Sequence, residues 1–273
     1  MLSLSKHEEF VSPKIPRLLV IAGSDPSGGA GIQADLKTAQ AFGVYAQTAI
    51  TAVTVQNTLG VTGSHIVPPD IVRDQIIACL SDIGADAIKT GMLGNAEMVE
   101  MVAATLAEHA PDIPLVVDPV MVAKGGSSLL DVSAITALKK KLLPLAVLVT
   151  PNLPEAEALT GIYPSSEHRI RNAAMVFKMT GVNSVLFKGG HGEGAMVRDV
   201  LWSGEDFTPF ESPRIDTSHT HGRGCTLATA IACGLAQGRE LSDAVGLAIA
   251  YVQNAIRTAP QLGHGHGPLN HKI

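Results

Sequence analysis

Short apolar runs alternate with amphipathic stretches along most of the chain. The apolar runs are rich in β-branched residues and end at glycine, proline or polar residues, a pattern typical of buried strands. It predicts strands at residues 17–22, 49–55, 85–89, 115–117, 146–150 and 184–188. Between them, apolar residues recur at helical spacing and predict helices at residues 31–42, 68–81, 95–108, 132–143, 155–159 and 167–179.

The last third of the chain departs from this alternation. Residues 196–210 alternate between apolar and polar around Ser203-Gly204, which predicts a small β-hairpin. Two helices are predicted after it, at residues 224–236 and 242–258. The whole pattern predicts one α/β domain over residues 17–273, with a mostly parallel sheet covered by helices on both faces. The polar residues 1–16 are predicted to form a weakly ordered tail.

Charge and cysteine content exclude several classes of protein. The net charge is −5 and both signs are well mixed, which argues against a nucleic-acid or membrane-surface partner. No run of about 18 apolar residues is present to span a bilayer, and the first residues lack the apolar segment of a signal peptide. The three cysteines, Cys79, Cys225 and Cys233, are too scattered for a disulfide framework or a zinc cluster. We therefore expect a reduced, cytoplasmic protein.

Glycine and polar residues gather directly after the predicted strands. They occur at residues 23–25, 56–57, 89–92, 118–121, 150–155 and 188–191. In a parallel sheet covered on both faces, ligands bind at the carboxyl ends of the strands. The sequence therefore predicts an enzyme whose active site lies along this edge.

The loop at residues 216–225 has the features of an anion-binding site. It leads into the predicted helix, whose first N–H groups have no partner within the helix and whose dipole favours a phosphate. Gly222 and Gly224 allow the backbone to approach a ligand closely. Cys225 lies at the helix start, where a thiol pKa is usually lowered, so it is a candidate general base. The alternative interpretation is an ordinary glycine turn before a core helix.

The loop after the first strand imitates a dinucleotide-binding fingerprint. It contains Gly29-x-Gly31-x-x-Ala34, but no acidic residue lies between Asp35 and Asp70 to hold a ribose, which argues against NAD. It is not a Walker loop either, because no Gly-Lys-Ser/Thr follows. We expect it to wrap a small substrate, with Asp35 offering a carboxylate. Alternatively, Asp35 is a solvated helix carboxylate.

Four polar residues after other strands are candidates for binding a substrate or magnesium. The Gln56 carboxamide complements a heteroaromatic edge with a ring nitrogen next to an amino group, although Gln56-Asn57 is also a turn-forming pair. Asp118, Asn152 and Glu155 offer the oxygen ligands that magnesium shares with water and substrate phosphates. Glu155 is alternatively a carboxylate favoured by the helix dipole.

Lysine and histidine residues near glycines are the remaining candidates. Lys188 precedes Gly189-Gly190 and can place a charge on a transferring phosphoryl group, or it is a surface lysine. His264 and His266 lie in a glycine-proline loop without a third ligand, which is weak evidence for a metal site.

Together these motifs resemble the hydroxymethylpyrimidine/phosphomethylpyrimidine kinases of thiamine biosynthesis, a family of ribokinase-like vitamin kinases. The resemblance rests on AGSDPSGGAGIQADLKT (22–38), TAVTVQNTLGV (51–61), IKTGML (88–93), VVDPVMVAKGG (116–126), TPNLPEAEAL (150–159), LFKGGHG (186–192), GRGCTLATAIACGLAQG (222–238) and GHGPLNH (265–271). These motifs cover nearly the whole chain after the predicted tail, and single motifs are shared with pyridoxal kinases.

The resemblance implies a ribokinase-like three-layer αβα sandwich that phosphorylates 4-amino-5-hydroxymethyl-2-methylpyrimidine (HMP) and then its monophosphate, with ATP and Mg²⁺. It implies that Gln56 reads the aminopyrimidine edge, and that Gly23, Ala30, Asp35, Met92 and Val120 line the same pocket. It assigns Cys225 as the base, Lys188, Gly222, Arg223, Gly224, Asn152 and Asp118 to the phosphates, and Glu155 with Asn152 to magnesium, partly through water. A cytoplasmic homodimer is also implied.

The chain departs from the family at Arg223. The usual sequence is Gly-Thr-Gly-Cys, whereas this chain has Gly222-Arg223-Gly224-Cys225. The arginine can add a phosphate contact, point to solvent, or crowd the anion site. Two alternatives therefore stay open: a pyridoxal kinase of the same fold, and a pyrimidine-binding protein with low kinase activity.

Overall fold

The computed structural model describes residues 14–121, 131–191 and 194–273, so residues 1–13 of the predicted tail lie outside it. The described residues form a nine-stranded sheet with the order β3-β2-β1-β4-β5-β6-β7-β8-β9. The strands are β1 Arg17–Ser24, β2 Tyr45–Asn57, β3 Gly60–Ile66, β4 Ala87–Thr90, β5 Leu115–Val117, β6 Leu148–Val149, β7 Ser184–Phe187, β8 Met196–Ser203 and β9 Asp206–Pro213. Neighbouring strands from β2 to β7 run parallel, while β3, β8 and β9 pair antiparallel at the two edges.

Helices cover both faces of this sheet. They are α1 Gly31–Ala41, α2 Pro69–Asp82, α3 Ala96–His109, α4 Val132–Ala137, α5 Leu153–Thr160, α6 Glu167–Met179, α7 Arg223–Ala236 and α8 Leu241–Arg257. The helical path of α4 continues through a π-helical segment at Leu138–Leu142 and a short 3₁₀ turn. None of the helices in the described ranges combines the length and the hydropathy that crossing a bilayer requires.

The side chains of β1 show how the three layers are built. Leu19 and Ile21 point into a core shared with α2, α3 and α6, whereas Leu18, Val20 and Ala22 point into a core shared with α1, α7 and α8. Alternate residues of a strand face opposite sides of the sheet, so a strand that is apolar throughout must be covered on both faces. The predicted three-layer αβα architecture is therefore confirmed.

The sheet edges differ most from the prediction. The predicted hairpin is present and extends to Pro213. Strand β3 was not predicted, because its sequence GVTGSHI is rich in glycine and polar residues and carries only a weak strand pattern. Strand β2 begins at Tyr45 rather than at residue 49, since Tyr45 pairs with Arg17 of β1.

The first turn of α5 shows how a helix start fixes functional side chains. The helix begins at Leu153, two residues before the predicted start, because Asn152 and Glu155 form a reciprocal cap. Asn152 Oδ1 accepts from the Glu155 N–H at 2.8 Å, and Glu155 Oε2 accepts from the Asn152 N–H at 2.8 Å. Such a capping box fixes both side chains where the β6–α5 loop enters the helix.

Candidate active site

A cavity of about 610 Å³ lies along the carboxyl ends of the parallel strands, beside the start of α7. All but one of the residues predicted to bind substrate, phosphate or metal line it. They are Gly23, Ala30, Gln56, Met92, Asp118, Val120, Asn152, Glu155, Lys188, Gly222, Arg223, Gly224 and Cys225. The structure thus brings together residues from opposite ends of the sequence, and only Asp35 lies elsewhere.

The start of α7 has the geometry of the predicted anion-binding loop. Gly222 is its N-cap, with φ of 79°, and no side chain caps the helix there. A Cβ at Gly222 would collide with the carbonyl oxygen of Gly29, so only glycine fits. A Cβ at Gly224 would lie 3.4 Å from Lys188 Nζ and 3.5 Å from Asp118 Oδ2. The start of α7, which no described side chain caps, therefore lies next to the charged side chains that follow β5 and β7.

Those charged side chains form an ion pair that leaves one carboxylate oxygen without a hydrogen-bond partner in the described residues. Lys188 Nζ donates to Asp118 Oδ1 at 2.9 Å and lies 3.9 Å from Glu155 Oε2. Thr150 donates its hydroxyl to the same Asp118 oxygen at 3.2 Å. The other oxygen, Asp118 Oδ2, is buried and has no hydrogen-bond partner among the described residues. A buried carboxylate oxygen without a partner is costly, so this oxygen is suited to a ligand or a metal ion.

Burial and neighbouring charges shift the protonation of this cluster. Burial raises the pKa of Glu155 to about 7, although the charge of Lys188 opposes the rise. Burial alone would lower the pKa of Lys188, but the charges of Asp118 and Glu155 outweigh it and raise that pKa. Lys188 is therefore a permanent ammonium, whereas the charge of Glu155 responds to its surroundings near neutral pH.

The acidic side chains fit a magnesium ion that is shared with a nucleotide. The described residues contain no cluster of three or more histidine, cysteine, aspartate or glutamate side chains that would enclose a metal alone. Magnesium keeps waters and substrate phosphates in its shell and needs only one or two carboxylates. Asp118 Oδ2 has no partner in the part of the chain that the structure describes and is available to such an ion, whereas Glu155 and Asn152 each already accept a backbone hydrogen bond as the α5 cap, which suits contact through water.

The predicted role of Asp35 is wrong. The prediction placed its carboxylate on the substrate or in solvent, but Asp35 is 0% exposed and lies behind the cavity wall. Its oxygens accept from Lys89 Nζ at 2.9 Å and from the Thr229 hydroxyl at 2.6 Å. Lys89 does line the cavity and was not singled out from the sequence, although it ends a predicted strand. Asp35 therefore positions Lys89 and α7 rather than offering a free carboxylate.

The predicted lowering of the Cys225 pKa is wrong for the protein without ligands. The thiol lies in the cavity wall at the third residue of α7 and is only partly exposed. Burial raises its pKa to about 11, while the ammonium of Lys89 acts in the opposite direction. The helix start and the nearby cation are both present, but desolvation of the thiolate outweighs them.

The other end of the cavity surrounds Gln56 and includes apolar side chains and glycine. Met92 Sδ would lie 3.3 Å from a Cβ at Gly23, so glycine there makes room for the methionine. His221 and Asp25, which were not singled out as site residues, line the cavity next to Gln56. The sequence did not predict them, because each lies in a glycine-rich loop without a pattern that marks it as a site residue.

Arg223 lies at the phosphate end of the cavity. A Cβ at Gly190 would overlap the Arg223 guanidinium, so the side chain covers the glycine turn after Lys188. Burial lowers the pKa of Arg223, while the charge of Asp199 opposes that shift. Of the three outcomes expected for this side chain, the position in solvent is wrong, and a phosphate contact and crowding of the anion site both stay open.

His266 of the C-terminal loop is held by hydrogen bonds to two other loops. His266 Nδ1 lies 3.2 Å from the carbonyl oxygen of Ser218, and the His266 N–H donates to Thr58 O at 2.8 Å. Residue His221 also bridges to Pro268. The loop therefore joins the turn after β2 to the approach of α7.

Comparison with known proteins gives consistent matches. The family model described as phosphomethylpyrimidine kinase matches residues 25–270. A hydroxymethylpyrimidine/phosphomethylpyrimidine kinase of Haemophilus influenzae is 48% identical over 262 residues, covering 94% of this chain and 97% of that protein. The thiamine biosynthesis bifunctional protein ThiED of Geobacter sulfurreducens is 52% identical over 254 residues, covering 93% of this chain, which spans about half (52%) of that longer protein.

Solved structures of two kinds of kinase share the fold. Phosphomethylpyrimidine kinase from Clostridium difficile has a TM-score of 0.78 and 41% identity, with 89% of this chain and all (100%) of that chain covered. Pyridoxal kinase from Staphylococcus aureus in complex with AMP-PCP and pyridoxal has a TM-score of 0.86 and 35% identity, with 94% of each chain covered. The geometric match is higher for the pyridoxal kinase and the sequence match is higher for the phosphomethylpyrimidine kinase.

Proposed function

We propose that this chain, which belongs to the phosphomethylpyrimidine kinase family, phosphorylates the hydroxymethyl group of HMP with ATP and then phosphorylates the resulting monophosphate. Membership of the family makes the chain a kinase, and therefore a transferase. The observation that carries the proposal is one cavity that joins the hydrogen-bonding end at Gln56 to the phosphate end at Lys188 and Asp118. A pyrimidine alcohol and a triphosphate need these two environments side by side.

The phosphate end supplies positioning and charge. Phosphoryl transfer passes through a loose transition state, so placement and neutralisation of charge carry most of the catalysis. The ammonium of Lys188, which Asp118 holds at 2.9 Å, contacts the transferring group, and the N–H groups at the start of α7 bind its neighbours. Asp118 and Glu155 would hold a magnesium ion, partly through water, and the ion would neutralise charge on the nucleotide.

Cys225 is proposed as the group that receives the proton of the substrate hydroxyl. In the transfer, the hydroxyl oxygen forms a bond to the γ-phosphorus, the bond to the ADP oxygen breaks, and the proton passes to Sγ of Cys225. Only the thiolate can accept it, and the thiol pKa of about 11 makes the thiolate a minor form at neutral pH. The rate is therefore expected to rise with pH as more thiolate forms.

The acceptor end supports an aminopyrimidine. Gln56 offers both a donor and an acceptor, and Ala30, Met92 and Val120 complete the wall around it. Pyridoxal is the second candidate, because the pyridoxal kinase of S. aureus shares the fold at a TM-score of 0.86. Gln56→Ala is expected to raise KM for HMP far more than KM for ATP.

We also propose a cytoplasmic homodimer without a nucleic-acid partner. All three cysteines are free thiols, which agrees with a reducing compartment. Val53, Val55 and Leu59 are half or more exposed at 50%, 63% and 67% on the β2–β3 edge of the sheet. An exposed apolar patch of this kind is typical of a subunit interface.

The test is a transfer assay with purified protein, Mg-ATP and either HMP or pyridoxal, followed by ADP release and product mass. The expected products are the mono- and diphosphate of HMP, with lower efficiency on pyridoxal. Cys225→Ala is expected to lower kcat by about 10² to 10⁴ and to remove its rise with pH, and Cys225→Asp is expected to retain more activity. Tight NAD binding without ATP binding, or ADP release only with pyridoxal, would contradict the proposal.

A further inference from the structure

Asp25 and His221 form a buried pair beside Gln56, and the phosphoryl-transfer steps above do not use them. His221 Nε2 lies 2.8 Å from Asp25 Oδ2 and 3.3 Å from Gln56 Nε2. Both residues are almost fully buried, at 4% exposed for His221 and 2% for Asp25. The ring of His221 also packs against Gly29, where a Cβ would collide with it. The imidazole is therefore held in one position at the acceptor end of the cavity.

The hydrogen bonds of Asp25 determine where the hydrogen of His221 lies. The backbone N–H of Ser27 donates to Asp25 Oδ1 at 2.9 Å, and that of Ala30 donates to Oδ2 at 2.8 Å. Burial opposes the charge of Asp25, but the hydrogen bonds from His221 and Ser27 bring its pKa below the usual value. An ionised carboxylate can only accept. The 2.8 Å contact therefore requires that His221 Nε2 carries a hydrogen and donates it.

The position of this hydrogen determines how the amide of Gln56 is oriented. With Nε2 of His221 as a donor, the Gln56 NH₂ group would face another donor at 3.3 Å. The oxygen and nitrogen of an amide have the same shape, so the hydrogen-bond network decides between its two orientations. If the amide is rotated by half a turn, its NH₂ faces Thr54 and its oxygen faces the Nε2–H of His221. That hydrogen is donated mainly to Asp25 at 2.8 Å and is shared with the amide oxygen at 3.3 Å as a three-centre hydrogen bond.

The contacts of Thr54 support the same orientation. The Thr54 hydroxyl lies 2.9 Å from the carbonyl oxygen of Ser24 and 3.2 Å from the position of Gln56 Oε1. A hydroxyl has one hydrogen to donate, and Ser24 O is the closer acceptor. Its oxygen is then free to accept from the Gln56 NH₂ group. In this arrangement every donor in the chain from Asp25 to Ser24 meets an acceptor.

We propose that the Asp25–His221 pair fixes the amide orientation of Gln56 and thereby determines which acceptor ring is phosphorylated; this inference rests on the proposed function. One N–H and one lone pair of the amide then face the cavity in a fixed order. They match a ring nitrogen beside an exocyclic amino group. A pyrimidinone, which has a ring N–H beside a carbonyl, presents the reverse order and is rejected.

The test compares HMP with its 4-oxo analogue, which exchanges donor and acceptor at these two positions. Sites built to hydrogen-bond a substrate group reject a mismatched analogue by about 10⁴-fold, so the wild-type ratio of kcat/KM is expected to be of that order. His221→Phe removes the donor and is expected to lower the ratio to within about tenfold of unity, through KM for the pyrimidines and not KM for ATP. His221→Gln, which keeps a donor, is expected to restore part of the ratio.

A second variant on another element controls for the case in which substitution of His221 disturbs the loop before α7. Thr54→Val preserves shape on another strand, removes the acceptor for the Gln56 NH₂ group, and is expected to lower the ratio as well. An unchanged ratio in either folded variant overturns the inference while the kinase assignment stands. If the wild type phosphorylates neither pyrimidine, the proposed function and the inference both fail.

Discussion

Two buried lysines of the cavity wall, Lys89 and Lys188, show how similar ion pairs serve different purposes. Each lies at or directly after the carboxyl end of a parallel strand, and each donates to an aspartate at 2.9 Å. The Lys89–Asp35 pair is 0% exposed on both sides, and Thr229 also donates to Asp35. The Lys188–Asp118 pair is 11% and 2% exposed, and Asp118 keeps one oxygen without a partner in the described residues.

The number of unsatisfied groups distinguishes the two pairs. The carboxylate of Asp35 accepts only from donors inside the protein, so the pair joins α1, β4 and α7 and leaves no carboxylate oxygen facing the cavity. The cluster at Lys188 contains a spare Asp118 oxygen and Glu155, whose pKa is raised to about 7 by burial. We infer that the first pair maintains the fold and that the second is prepared for the nucleotide and its metal.

The largest expected effect is on folding. Lys89→Met leaves the Asp35 carboxylate buried without its cation, and removal of one partner of a buried pair costs about 3–5 kcal/mol. The free energy of unfolding, measured in denaturant, is expected to fall by that amount. The double variant Lys89→Met/Asp35→Leu, which removes both charges, is expected to recover most of the loss. An equally large loss in the double variant would show that the charges are not the cause.

The next effect is on ligand binding. Lys188→Met is expected to destabilise the protein less than Lys89→Met, because the Lys188–Asp118 pair is 11% and 2% exposed in the cavity wall whereas the Lys89–Asp35 pair is 0% exposed on both sides. Mg-ATP at a hundred times its Kd should stabilise the wild type by about 2.7 kcal/mol, measured as a thermal shift. This shift should be lost in Lys188→Met and kept in Lys89→Met. A full shift in Lys188→Met would place the nucleotide elsewhere.

A smaller effect is that of Lys89 on the pKa of Cys225. Its pKa of about 11 means that the thiol is protonated below that pH, so iodoacetamide labelling should accelerate about tenfold per pH unit from about pH 8 to pH 10. The ammonium of Lys89 lowers this pKa, so Lys89→Met should slow labelling at any fixed pH. Cys79, whose pKa is also raised by burial, is the internal control. Labelling of Cys225 that levels off near neutral pH would contradict the raised pKa.

The smallest effect concerns Arg223. Its guanidinium covers Gly190 at the phosphate end, and a partly exposed charge contact contributes about 0.2–1 kcal/mol. Arg223→Thr, which restores the residue usual in the family, is therefore expected to raise KM for ATP by about 1.4- to 5-fold and to reduce its dependence on salt. A higher kcat in the variant would instead show that the arginine crowds the site.

The same two pairs show what the sequence could and could not predict. Lys188, Asp118 and Glu155 follow strands of a parallel sheet, so their convergence at one edge follows from the strand order alone. Asp35 lies on α1, and its burial depends on partners 54 and 194 residues away in the chain. The prediction of a lowered pKa for Cys225 failed for the same reason. The position of Cys225 at a helix start is local and was predicted, whereas its burial depends on the packing of the whole fold.

The most direct test of this account is a single-turnover measurement of phosphoryl transfer from Mg-ATP to HMP. The wild type, Lys89→Met and Lys188→Met are compared side by side, at a temperature where circular dichroism shows all three folded. The wild type is expected to form the monophosphate, Lys89→Met to react within about tenfold of it, and Lys188→Met to be slower by about 10² to 10³. Absence of transfer in the wild type, or an equal loss in the two variants, would contradict the account.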